Sequence, residues 1–261
     1  MIKNPTSILS LYLSVISVLL VSTPLSAQKE KQSNQPPTPA LTRMTPRHEN
    51  FRLAYGGSTQ DLDRLATVNT FVVDQDTNHV RILTTGTHDR AFMKSVAKGF
   101  PKTLIGLPWK IDYRIKVPLL TDLEISAGNG PITLSGVEGA IRVNAVESEA
   151  SLQLTGGDVG VTIQRGTIKL GIPARSWHGL GADIKLASGN LIVGLQAGFS
   201  GDIDAQVLRT GEIDLTHAGL EPLGQNGISK RSVRARAGNG GATLTFTVGD
   251  GVIRIVSYLQ G

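Results

Sequence analysis

The chain has 261 residues, no cysteine, a formal net charge of +5 and only 5% aromatic residues. The missing thiol excludes disulfides, thiolate metal sites and cysteine nucleophiles, and a chain of this length can build a core without cross-links. The basic excess is spread along alternating positions and lacks interleaved aromatics, so nucleic acid is not an expected partner.

Lys3 followed by the apolar run Ile8 to Val21, then Pro24-Leu25-Ser26-Ala27, reads as a signal peptide cut after residue 27. The run is shorter than the ~20 apolar residues of a spanning helix. No transmembrane segment is therefore expected after cleavage, and the mature chain is expected in the periplasm, at the cell surface or outside. Residues 28–47, rich in Lys, Gln, Ser, Asn and Pro, cannot bury enough apolar surface to offset ordering and read as a disordered linker. Residues 48–117 read as a β-rich cap. Within it Val68 to Val73 and Val80 to Leu83, separated by Asp74, Asp76 and Asn78, predict a hairpin. Phe92, Val96 and Ala97 predict a short helix over 91–98. Trp109, Ile111, Tyr113, Ile115 and Val117 alternate with charged residues and predict a half-buried strand ended by Pro118.

Residues 118–261 repeat a phrase: a small or polar residue, glycine, a polar residue, then alternating apolar positions. It appears at Arg165-Gly166-Thr167-Ile168, Ser188-Gly189-Asn190-Leu191, Ser200-Gly201-Asp202-Ile203 and Thr210-Gly211-Glu212-Ile213. Apolar pairs recur about every ten residues, two short strands per coil of roughly twenty. The predicted fold is an all-β parallel solenoid, or β-helix, of glycine-cornered strands. Stacking coils ~4.8 Å apart would bury each apolar strip against the next. An antiparallel sandwich, whose turns recur every 8–12 residues, is the alternative.

The stretch Tyr113-Arg-Ile-Lys-Val-Pro118, Leu123-Glu-Ile-Ser126 and Gly128-Asn-Gly-Pro-Ile-Thr-Leu-Ser-Gly-Val-Glu-Gly139 resembles a bacterial family of exported β-strand-repeat proteins labelled as adhesins. The resemblance spans roughly residues 65 to 256 and rests on the ordered series of phrases. It implies a parallel β-solenoid at the cell envelope, with no established activity and no catalytic residues. Longer loops, Pro173 to Gly179 and Leu220 to Ser229, depart from the pattern.

Candidate chemistry is sparse. His48, His79, His88, His178 and His217 have no zinc-ligand spacing, and no Gly-x-Ser-x-Gly elbow occurs. Asp158, Asp202 and Asp250 adjoin corner glycines without the nonapeptide repeat of calcium-binding rolls. No metal or cofactor is expected. Two binding candidates remain. Trp177 and His178 lie in an irregular loop, where an indole can stack on a sugar or simply cover a coil edge. Lys230, Arg231, Arg234 and Arg236 form a basic strip that suits an anionic polymer or headgroup, or a solvated outer face. The expected function is a non-enzymatic envelope scaffold contacting polysaccharide, an anionic surface or another envelope protein. The alternatives are a carbohydrate-active β-helix enzyme, for which Glu147 and Glu149 are a close acidic pair on one strand side, and a periplasmic structural module with a regulatory partner.

Overall fold

Side chains alternate across a strand, so an i, i+2 apolar set buries one face and leaves its neighbours in water. That rule organises nearly all of the structure. The computed structural model describes residues 6–13, 16–21, 41–46, 60, 64, 70–75, 79–85, 100 and 111–257, without 217, 218, 225 and 226. Among these residues the chain is almost all β, in a largely parallel sheet.

Five strands come first: β1 (Thr6–Leu13), β2 (Ile16–Val21), β3 (Leu41–Pro46), β4 (Thr70–Gln75) and β5 (His79–Thr85). Then follow β6 (Ile111–Pro118), β7 (Asp122–Asn129), β8 (Ile132–Ser135), β9 (Ala140–Gln153), β10 (Gly156–Ile172) and β11 (His178–Leu195). The last are β12 (Gly201–Leu215), β13 (Leu220–Pro222), β14 (Ser232–Ala237) and β15 (Thr243–Ser257). The predicted hairpin is the antiparallel pair β4/β5, and the alternating strand ending at Pro118 is β6. The helix expected over 91–98 lies outside the described residues. Within the stretch expected to be disordered, Leu41–Pro46 pairs with β6 as β3. An open strand edge supplies backbone partners that the composition of this segment does not reveal.

From β7 to β11 neighbouring strands are parallel, each in register with the next. The hairpin pairing of an antiparallel sandwich is absent from this run. Each long strand has two halves. In β10, Val159, Val161 and Ile163 are buried in the first half and Ile168, Leu170 and Ile172 in the second. The buried set thus changes from odd to even numbers across Gln164–Thr167, where Gly166 takes a φ of +133°. Apolar columns run across the sheet. Ile125, Val143, Val161, Ile184, Phe246 and Ala205 form one, and Leu134, Leu152, Leu170, Val193 and Ile255 form another. All are essentially without solvent contact.

The order of the strands departs from simple succession. β15 lies between β11 and β12, parallel to both, while β14 and β13 close the far side of β12 in antiparallel pairing. The chain therefore crosses the start of β12 through residues 238–242. In the middle position β15 hydrogen-bonds along both edges; outside β12 one edge would face water.

The residues where the buried set switches form a column of their own, Ser148, Gly166, Gly189, Gly251 and Gly211 in mutual register. Ser148 is 2% exposed, and its hydroxyl has no hydrogen-bond partner. A buried unsatisfied hydroxyl opposes folding, so Ser148→Ala is expected to raise stability by about 1 kcal/mol, read as a higher urea midpoint at unchanged m-value.

Candidate functional site

Trp177 enters the stack at the corner before β11. Its side chain is 6% exposed and its indole N–H donates to the Gly157 carbonyl at 3.0 Å. The ring covers the core edge and satisfies its one polar atom, so it offers no exposed stacking face for a sugar. Gly157 lies on the preceding strand, and the parallel register of β10 with β11 brings its carbonyl to the indole. His178, the next residue, is exposed, with Nδ1 3.5 Å from Glu138 Oε1. Thr155 donates to the same carboxylate oxygen. Glu138, Thr155 and His178 thus gather at one corner, with a single acid between a hydroxyl and an imidazole.

The four basic residues near the C-terminus are all exposed, but they do not make a row of unmatched cations. Antiparallel pairing sets Asp202 opposite Arg236 and Asp204 opposite Arg234. Arg236 grips Asp202 with Nε at 2.8 Å and Nη2 at 3.3 Å, while Arg234 Nε stands 3.6 Å from Asp204. Arg231 reaches back to the Arg209 carbonyl at 2.9 Å, and Lys230 remains on the surface. The strip is half of a zipper of opposite charges. The matching Asp-x-Asp and Arg-x-Arg spacings were visible in the sequence, but the pairing of β12 with β14 was not.

The aspartates singled out beside glycines follow the same rule. Arg142 Nη2 meets Asp158 at 2.6 Å, and Arg209 Nε meets Asp250 at 2.9 Å, with Thr210 donating to the other oxygen of Asp250 at 2.8 Å. Among the described residues no three histidine or acidic side chains converge to hold a metal ion. Across the same outward face, Thr243 and Thr245 lie beside Asp202 and Asp204 on one side and beside Gly181 and Asp183 on the other. The result is a regularly spaced face of hydroxyls and paired charges, suited to many shallow hydrogen bonds.

The Arg236 hydrogen bond lowers the pKa of Asp202, and the hydrogen bonds from Arg209 and then Thr210 lower that of Asp250, both from an ordinary 3.8. A depressed folded value means that the contribution to stability is complete above the ordinary value and is lost as pH falls through the folded one. The urea midpoint is therefore expected to hold from neutrality to about pH 5 and to fall below about pH 4. The fall should shrink in Asp202→Asn and Asp250→Asn and at high salt, where exposed pairs are screened.

Among the described residues no helix is long and apolar enough to cross a membrane. Comparison with protein-family models, curated proteins and solved structures finds no match for this chain.

Proposed function

We propose that the chain is an exported, non-enzymatic β-solenoid whose polar outer face makes many weak contacts with an envelope polysaccharide. The supporting observation is the parallel register of β7 to β11 at short repeat intervals. Ile132, Ala150 and Ile168 lie side by side, eighteen residues apart at each step. Only two residues, Leu154 and Thr155, join β9 to β10. Parallel neighbours with so short a connection require each long strand to wind around the core, because a flat parallel pair needs a crossover of a dozen or more residues. A wound stack turns its inner rows into core and its outer rows into a repeating polar lattice, the right partner for a repeating polymer. Signal-peptide cleavage near Ala27 belongs to the same reading, and it rests on the charge, apolar length and small-residue site of the N-terminus.

The test is binding of the exported chain to envelope polysaccharide and to anionic vesicles, followed by product analysis. Retention on the polysaccharide, weakened several-fold when Asp202, Asp204, Arg234 and Arg236 are all changed to Ala, is the expected result. Release of oligosaccharide overturns the non-enzymatic reading, and retention on vesicles alone overturns the choice of ligand.

A further inference from the structure

The strands that the export reading removes occupy a revealing position. β1 lies antiparallel between β6 and β8, and β2 lies antiparallel between β5 and β7. They interrupt a run that is otherwise parallel. The strands on either side of them share one phase. Through Leu11, Tyr113 of β6 is aligned with Ile132 of β8, and through Leu9, Ile115 is aligned with Leu134. Through Leu20 and Val18, Val80 and Ile82 of β5 are aligned with Leu123 and Ile125 of β7. All eight aligned residues are buried. Tyr113 and Ile132 are nineteen residues apart, against eighteen for Ile132 and Ala150.

A junction already exists at one end. Just past β6, Leu120 forms a parallel bridge with Glu138, and the Glu138 N–H donates to the Leu119 carbonyl at 2.7 Å. β6 thus meets the next coil directly at its C-terminal end and is held apart from β8 only along β1.

From this geometry we infer that β1 and β2 are a removable wedge, and that cleavage lets β5 and β6 close onto β7 and β8 as the first coil of a continuous parallel stack. The inference rests on the export reading. Removal of the two strands strips the facing edges of β5, β6, β7 and β8 of backbone partners. Advancing the cap by one strand spacing, ~4.8 Å, restores the ladders. A shift of one residue would turn Tyr113 and Ile115 outward, so the nineteen-residue offset is the one the core accepts. Charge agrees with this register: Arg81 and Glu124, both exposed and both opposite Leu19, become neighbours. The leader would thus hold the precursor in an open arrangement that the mature chain abandons.

Disulfide trapping tests this, because the chain has no cysteine of its own. Arg114 and Thr133 are both opposite Ser10, about two strand spacings apart with β1 present and one spacing apart after closure. Two Cα atoms more than ~7 Å apart cannot be bridged. Arg114→Cys/Thr133→Cys and, independently, Arg81→Cys/Glu124→Cys are made in the full chain. Each is produced by export and, separately, in the cytoplasm with the leader retained; the N-terminus is read by mass. The expected result is an N-terminus near Gln28 with near-complete intramolecular loss of free thiol on mild oxidation, and free thiols in the leader-bearing chain. An exported chain that keeps residues 1–27 overturns the export reading and the wedge with it. A correctly cleaved chain whose thiols stay free, or cross-link only between copies, overturns closure while export stands. Cross-linking with the leader still present overturns the wedge.

Discussion

Gly189→Ala is expected to cost roughly 3–5 kcal/mol, enough to unfold most of a marginally stable population at 37 °C. Gly189 sits at the corner of β11 with φ +138°, a backbone conformation that L side chains rarely adopt. Its register neighbours are Gly166 on one side and Gly251 on the other. A methyl group at position 189 would overlap the Gly166 carbonyl oxygen, which is backbone held in the ladder and cannot swing aside. The same collision recurs at Gly251 and Gly211, so no neighbour can yield without moving the next. Gly198 provides the contrast: φ is +73°, but a Cβ there would meet nothing within 4 Å. Gly198→Ala should therefore cost only the left-handed backbone penalty, about 1–2 kcal/mol. Urea or thermal unfolding of the two variants distinguishes close stacking from backbone conformation alone. Equal losses would deny that the corners stack closely.

Phe246→Ala is expected to cost about 3–5 kcal/mol through lost burial and the cavity left behind. Phe246 is fully buried on β15, with Ile184 of β11 on one side and Ala205 of β12 on the other. The pair sets a large side chain beside a small one on adjacent strands, both fully buried. Phe246→Ala/Ala205→Phe, which returns that volume to the same column, should recover part of the loss. The measurement also tests the topology. A cost below about 1 kcal/mol would place this ring at a collapsible margin of the stack, and so contradict a central β15.

These results separate what is local from what is not. The alternation of Tyr113, Ile115 and Val117, the antiparallel pair β4/β5 and the positive-φ glycines Gly166, Gly189 and Gly211 were all legible, because strand period and positive φ are set by neighbours in sequence. Trp177 was harder. Its exposed and buried readings have the same local sequence, and the partner that decides between them, the Gly157 carbonyl, is on another strand. The basic strip posed the same difficulty: Arg234 and Arg236 alternate as a solvated face should, but the acids that pair them lie thirty or more residues earlier on β12.

What the sequence determined by itself is the strand pattern, the turning points and which side of each strand is apolar, since each follows from residue type over a few positions. Tertiary structure alone decided the order of strands, and with it the insertion of β15 between β11 and β12 and the partners of Asp158, Asp202, Asp204 and Asp250. The physical reason is degeneracy. The long strands present nearly the same alternating apolar sets and glycines, so residue type over a few positions does not distinguish one neighbour from another, and the order falls to non-local pairings such as Phe246 with Ala205.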